Sequence, residues 1–183
     1  MENNKKDNTQ LEMRKKFIIY FFIYSALGWI LETIFCLITL GVFNKRGFLY
    51  GPVCPIYGFG AILLIQCLHG KKVNIFGKFF IAMIAFTFIE YVASAVLEDL
   101  FGLRWWDYSN DILNFQGRIS LPYSIAWGVM GVIFVEIIHP VIQRCVENLI
   151  KKISTKKQNT ILNFFVLIIL VDFIMSVIKY IKM

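Results

Sequence analysis

The chain has 183 residues, of which 58% are hydrophobic and only 17% are charged. A soluble domain carries about 25% charged residues, so this composition predicts an all-α membrane protein and excludes a pair of soluble domains. The net charge of +7 does not indicate nucleic-acid binding, because the basic residues lie between apolar segments, as topology signals do.

Five apolar segments follow a polar tail of residues 1–16. They cover residues 17–42, 51–68, 79–100, 119–142 and 161–181. Each is long enough for a helix to cross a hydrocarbon core of about 30 Å. We therefore predict that residues 17–183 form a single transmembrane domain, a bundle of five transmembrane helices.

The distribution of Lys and Arg predicts the orientation of this bundle. With a cytoplasmic N-terminus, 13 of these residues face the cytoplasm and 6 face outside. If residues 51–68 entered and left the membrane on one side, the counts would be 9 and 10, and the bias would vanish. The counts favour a full crossing, with loops 43–50 and 101–118 outside.

The junction between the first two segments, residues 44–60, is rich in glycine and proline. It contains Arg46, four glycines and two prolines. Such residues at a membrane boundary indicate a backbone that bends, packs closely or lines a cavity. We expect the functional part of the chain near this junction.

Three acids fall near the middle of apolar segments: Glu32, Glu90 and Asp172. A carboxylate at the bilayer centre costs about 2.5–3.5 kcal/mol on insertion scales, so each must face protein or water. For Glu32 and Glu90, a proton, cation or substrate site and a helix-anchoring role stay equally open. For Asp172 the anchoring role is favoured, because its segment is otherwise featureless.

Helical spacing places Glu32 and Glu90 on polar stripes, and Ser25, Gly28 and Glu32 share one face of the first span. Glu90 continues at intervals of four residues to Glu98 at the outer end of its span. Arg46 and Arg118 lie at outer span ends, where they either pair with an acid such as Glu90 or Glu98 or snorkel to the interface. We predict that loops 43–50 and 101–118 pack together over a polar cavity between the first and third spans.

The segment Arg104-Trp105-Trp106-Asp107-Tyr108-Ser109 forms a second dense motif. Adjacent Trp and Tyr at a membrane boundary are most often an interfacial aromatic belt. The alternative is a recognition surface in which Trp106 stacks on a ligand and Asp107 accepts its hydrogen bonds.

Familiar catalytic motifs are missing from the sequence. It contains no HExxH, no GxSxG and no phosphate-binding GxxxxGK[ST] loop, and its four Cys and two His lack metal-ligand spacing. We therefore assign no catalytic residue, cofactor or metal ligand, and expect that the chain is not an enzyme.

The order of these motifs resembles a family of bacterial integral membrane proteins, the putative ABC-transporter type IV or putative ABC transporter permease family. The matching motifs include GWxxE at 28–32, NxRGFLxGP at 44–52, RWWDYS at 104–109 and NxxGR at 114–118. The resemblance implies a permease-like subunit in the plasma membrane, whose ATPase would be a separate chain.

The leading hypothesis is a membrane component of a transport system with unknown substrate. Its candidate substrate- or ion-binding residues are Glu32, Arg46, Glu90, Glu98, Trp106, Asp107 and Arg118. The expected partners are the lipid bilayer and a separate ATPase. The alternatives are an intramembrane or lipid-modifying enzyme that uses Glu32 or Glu90, and a non-catalytic sensor or partner subunit.

The predicted orientation can be tested with introduced cysteines. In a variant without native cysteines, a cysteine at Asn110 should react with an impermeant reagent in intact cells, whereas one at Lys156 should react only after lysis, because the charge bias puts them on opposite sides. The reverse pattern would contradict the orientation.

Overall fold

The computed structural model describes residues 2–43 and 47–182, with side chains from residue 12 onward except that of residue 40. The described residues form helices joined by loops and contain no β-strand; one isolated bridge joins Phe115 and Ile119. The helices are α1 Glu2–Leu40, α2 Pro55–Leu68, α3 Ile75–Phe101, α4 Leu121–Ile133, α5 His139–Lys152 and α6 Thr155–Ile181. The predicted all-α class is confirmed.

Within residues 2–43 and 47–182, four helices are long and apolar enough to cross a membrane. They are Glu12–Thr39 within α1, α3, the continuous helix Leu121–Lys152 and α6. The helix α2 is also apolar but has only 14 residues, or about 21 Å, which is less than the thickness of a hydrocarbon core. The five-span count therefore stays a prediction.

Proline explains why α2 is shorter than its apolar segment. Residues 51–54 precede the helix and are not helical, and Pro52 lies among them. Pro55 opens α2, where its missing N–H and fixed φ are compatible with a first helical position. The predicted bend is therefore a non-helical stretch, residues 47–54, which we call the entry loop.

Local signals set the ends of α3. The Asn74 side chain accepts a hydrogen bond from the N–H of Gly77, which satisfies a donor at the helix start. Gly102 ends the helix with φ of 66°, in the left-handed region that glycine adopts without steric cost.

The helix Leu121–Lys152 contains one π-helical turn, Phe134–Ile138, between α4 and α5. Such a turn changes which side chains share a helix face, and these turns are frequent at functional sites. Glu136 in the turn pairs with Lys78 of α3. The adjacent His139 is buried, and its ring packs edge-on against that of His69, with 4.7 Å between ring centroids.

The chain divides into two compact units, and α2 contributes to both. The first unit comprises Met1–Ile62 and Lys152–Met183, and the second comprises Leu63–Lys151. In the first, α1 contacts α6 through Phe22 and Phe165, whose ring centroids are 5.6 Å apart.

The second unit has a small apolar core formed by α2, α3 and the π-helical turn, beside the contact between α3 and α4. Leu64, Leu68, Ala82 and Val135 form it. Gly131 permits the close approach of the two helices, since a Cβ there would overlap that of Ala82. Small residues at helix contacts let backbones approach closely, as is common between membrane helices.

This contact predicts a large difference between two substitutions in α4. Gly131→Val should lower the free energy of unfolding in detergent by about 1–3 kcal/mol, because the new side chain overpacks the core. Ala126→Val, at an exposed position of the same helix, is the control and should change it little. Equal effects of the two would show that the α3–α4 contact is not tight.

Candidate functional site

Polar side chains gather in two clusters, one in each unit. The Glu32 cluster, in the first unit, comprises the entry loop with Glu32, Tyr57 and Asp172. The Glu90 cluster, in the second unit, comprises Glu90 and Glu98 of α3, Trp127 of α4 and the loop of residues 102–120.

Glu32 on α1 accepts a hydrogen bond from the hydroxyl of Tyr57 on α2, with 2.5 Å between the oxygens. Gly28, one turn earlier on α1, makes this approach possible because a Cβ there would overlap the Tyr57 side chain. The predicted stripe of small and polar residues on α1 therefore faces protein at this point.

The entry loop is held from two sides within the first unit. The Asp172 carboxylate of α6 accepts hydrogen bonds from the N–H groups of Tyr50 and Gly51, both at 2.7 Å. The N–H of Cys54 donates to the carbonyl of Ser25 on α1 at 2.9 Å. These bonds satisfy three backbone donors that a continuous helix would have paired internally.

Glu90 is the most buried acid among the predicted site residues, with 6% of its surface exposed. Its carboxylate accepts hydrogen bonds from the Tyr108 hydroxyl at 2.9 Å and from the Trp127 indole N–H at 3.1 Å. The Tyr108 ring stacks on Tyr123 with 4.3 Å between centroids, which fixes its orientation. A buried carboxylate is thus bonded to two neutral donors.

Glu98 lies two turns further along α3 and binds two arginines. Its oxygens lie 2.9 Å from Nε of Arg104 and 2.7 Å from Nη2 of Arg118. The predicted contact between Arg118 and an acid is therefore present. Nη1 of Arg118 also donates to the Ser94 hydroxyl at 3.4 Å. The stripe Glu90-Ser94-Glu98 faces the loop of residues 102–120.

Trp106 and Asp107 form hydrogen bonds with other residues of the loop 102–120. The Trp106 indole N–H donates to the carbonyl of Arg118 at 2.9 Å. Asp107 accepts from the backbone N–H and the hydroxyl of Ser109. Gly117, with φ of 66°, lies so close that a Cβ would overlap the Asp107 and Ser109 side chains. The motif therefore ties the loop together as well as supplying aromatic surface.

Hydrogen bonds and neighbouring charges favour the ionised forms of Asp107 and Arg104 in this loop. Hydrogen bonds from Ser109, assisted by Arg104, hold the pKa of Asp107 below its ordinary value of 3.8. The hydrogen bond and charge of Glu98 raise the pKa of Arg104. Because the Asp107 pKa is lowered on folding, its contribution to stability is complete at neutral pH and is lost as the pH falls below 3.8 through the lowered pKa.

The structure gathers five of the seven predicted site residues in one cluster. Glu90, Glu98, Trp106, Asp107 and Arg118 belong to the Glu90 cluster, whereas Glu32 belongs to the other. Arg46 lies outside the described residues. The cavity shared by loops 43–50 and 101–118 stays a prediction.

Three residues with direct contacts to these groups were not among the predicted site residues. Tyr57 and Trp127 bind the two acids, and Asp172 binds the entry loop. Asp172 carried a signal as an acid in an apolar segment, but its partners are backbone N–H groups about 120 residues earlier, which no side-chain pattern reveals.

Residues 19–177 match the family described as Putative ABC-transporter type IV. Because the match covers most of the chain, the chain belongs to this family, as the motifs indicated. Comparisons with curated proteins and with solved structures gave no match.

The Glu90 environment predicts a difference between two neighbouring tyrosines. Tyr108→Phe removes a donor to a buried carboxylate and should lower the free energy of unfolding by about 1–3 kcal/mol. Tyr123→Phe keeps the stacked ring and loses a hydroxyl that has no hydrogen-bond partner among the described residues, so it is the matched control. Denaturant titration in detergent measures both; an equal loss would contradict the assigned role of Tyr108.

Proposed function

We propose that this member of the family described as Putative ABC-transporter type IV is the permease-like membrane component of a transport system. It has no ATPase of its own and is energised by a separate chain. In this proposal it crosses the plasma membrane five times, with its N-terminus in the cytoplasm. Family membership is the observation that carries the proposal.

Acids within apolar helices support a transport role. Glu90 lies in α3, which is long and apolar enough to span a membrane, and receives hydrogen bonds from Tyr108 and Trp127. Ionisable residues within spans are costly and commonly mark substrate, ion or proton pathways. We assign Glu90, and Glu32 with its Tyr57 bond, as the polar groups that contact the transported species.

The five-span topology rests on the charge distribution and on the entry loop. The helix α2 is too short to span alone, and residues 47–54 precede it as non-helical chain. Non-helical backbone at membrane depth is tolerated where protein groups satisfy it, as Asp172 and the Ser25 carbonyl do here. The entry loop and α2 together would complete the second crossing.

A non-catalytic partner subunit is the second candidate, and the tip of the loop of residues 102–120 favours it. Ile112 and Leu113 expose 75% and 73% of their surfaces. Leu113 adopts φ of 51°, which is uncommon for a residue other than glycine. Exposed apolar side chains on a constrained loop suit contact with another protein.

Purification from native membranes tests the transport proposal. The tagged chain, extracted in a mild detergent, should bring down a stoichiometric ATPase that contains a GxxxxGK[ST] loop, and an unrelated tagged membrane protein should not. The complex should hydrolyse ATP. If the chain purifies without an ATPase and still binds a ligand, the result would favour the partner-subunit alternative.

Acid-to-amide variants then test the assigned site. Glu32→Gln and Glu90→Gln should abolish the transport-dependent phenotype or lower the ATPase rate of the complex at least tenfold, with expression unchanged, because the amide keeps the shape and removes the charge. Asp99→Asn, an exposed acid of α3, is the control. Normal activity of both Gln variants would exclude a proton or cation role, and misfolding would indicate anchors.

A further inference from the structure

The entry loop includes the first residues of the predicted apolar segment 51–68, and this leaves their backbone donors outside a helix. Tyr50 and Gly51 lie within it, and their N–H groups both point to one carboxylate, that of Asp172 on α6. Each carboxylate oxygen accepts one of these bonds, at 2.7 Å. Bonds from N–H groups to an ionised carboxylate are about twice as strong as neutral ones.

Both oxygens of the Asp172 carboxylate have close neighbours. The hydroxyl of Ser176, one turn later on α6, donates to Oδ1 at 3.2 Å. A Cβ on Gly51 would lie 2.9 Å from Oδ2, so glycine is the residue that permits this approach. The carboxylate is therefore enclosed by donors from both chain segments.

Further contacts hold the same loop on the same helix. The Phe48 ring packs on Phe173 and Tyr180, with centroids 5.8 Å and 5.1 Å away. Nζ of Lys179 lies 5.2 Å from the centroid of the Tyr50 ring. Residues 172, 173, 176, 179 and 180 share one helix face by spacing. One face of α6 thus forms a docking surface for the entry loop.

The other end of the entry loop leads directly to Glu32. Cys54 is 5% exposed, and its N–H donates to the Ser25 carbonyl. Three residues later, Tyr57 donates to Glu32. The position of the Tyr57 hydroxyl therefore depends on where the loop delivers the start of α2.

We propose that Asp172 is a positioning residue whose two carboxylate oxygens dock the entry loop on α6 and so set the Tyr57–Glu32 contact. Both N–H groups need an acceptor oxygen, and an amide in place of the carboxylate would turn its own NH2 donor toward one of them. This role goes beyond the proposed transport function, and its test needs no substrate.

The native Cys54 provides a reporter for loop docking. In protein with Cys36, Cys67 and Cys145 replaced by serine, the rate of N-ethylmaleimide labelling of Cys54 in detergent measures how often the loop opens. Asp172→Asn keeps the shape and one acceptor. We expect it to raise the labelling rate about tenfold or more, the factor that follows from losing one hydrogen bond to a charged group.

Three controls make the result specific. Asp172→Glu retains the carboxylate and should restore part of the protection, and Asp99→Asn makes the same chemical change at an exposed position and should have no effect. A second reporter, with Cys36 as the sole cysteine, monitors α1; Cys36 is 1% exposed and should stay protected in Asp172→Asn. Faster labelling of Cys54 alone supports the proposal.

Two outcomes would overturn it. Unchanged labelling of Cys54 in Asp172→Asn would show that the carboxylate does not hold the loop. Equal gains at Cys54 and Cys36 would show general loss of folding, which assigns Asp172 a role as an anchor and no particular role in positioning the loop. Either result leaves the transport proposal intact, because that proposal is tested by the ATPase and by Glu32 and Glu90.

Discussion

The need to satisfy backbone N–H groups where an apolar chain leaves the helix governs the first unit. A helix pairs its own donors, but the entry loop with its Gly-Pro sequence does not. Asp172 supplies the missing acceptors from α6, and the Ser25 carbonyl supplies one from α1. The break in the second segment, the carboxylate in α6 and the small residues on α1 are therefore parts of one arrangement.

In the second unit, side chains supply the partners of two acids in α3. Glu90 and Glu98 would be costly in an apolar helix, and the loop of residues 102–120 folds back to supply their partners. Tyr108 and Trp127 donate hydrogen bonds to Glu90, and Arg104 and Arg118 pair with Glu98.

The sequence was sufficient to predict the features that depend on a local residue pattern. Apolar runs predicted the long helices, and the stripe at Glu90, Ser94 and Glu98 predicted which face of α3 is polar. It was not sufficient for contacts between a side chain and a distant backbone. The partners of Asp172 are N–H groups, which every residue except proline possesses, so nothing in the residue types near Tyr50 indicates the pairing. The length of α2 also depended on how two prolines are accommodated, which a hydropathy pattern does not specify.

The helix Leu121–Lys152 has a mechanical consequence. Its 32 residues give a rod of about 48 Å, well beyond the thickness of a hydrocarbon core. Part of α5, which exposes Arg144 and Lys151, would then extend past the lipid into water. A helix that crosses this boundary acts as a lever, because a small change of its tilt displaces its aqueous end by a larger distance.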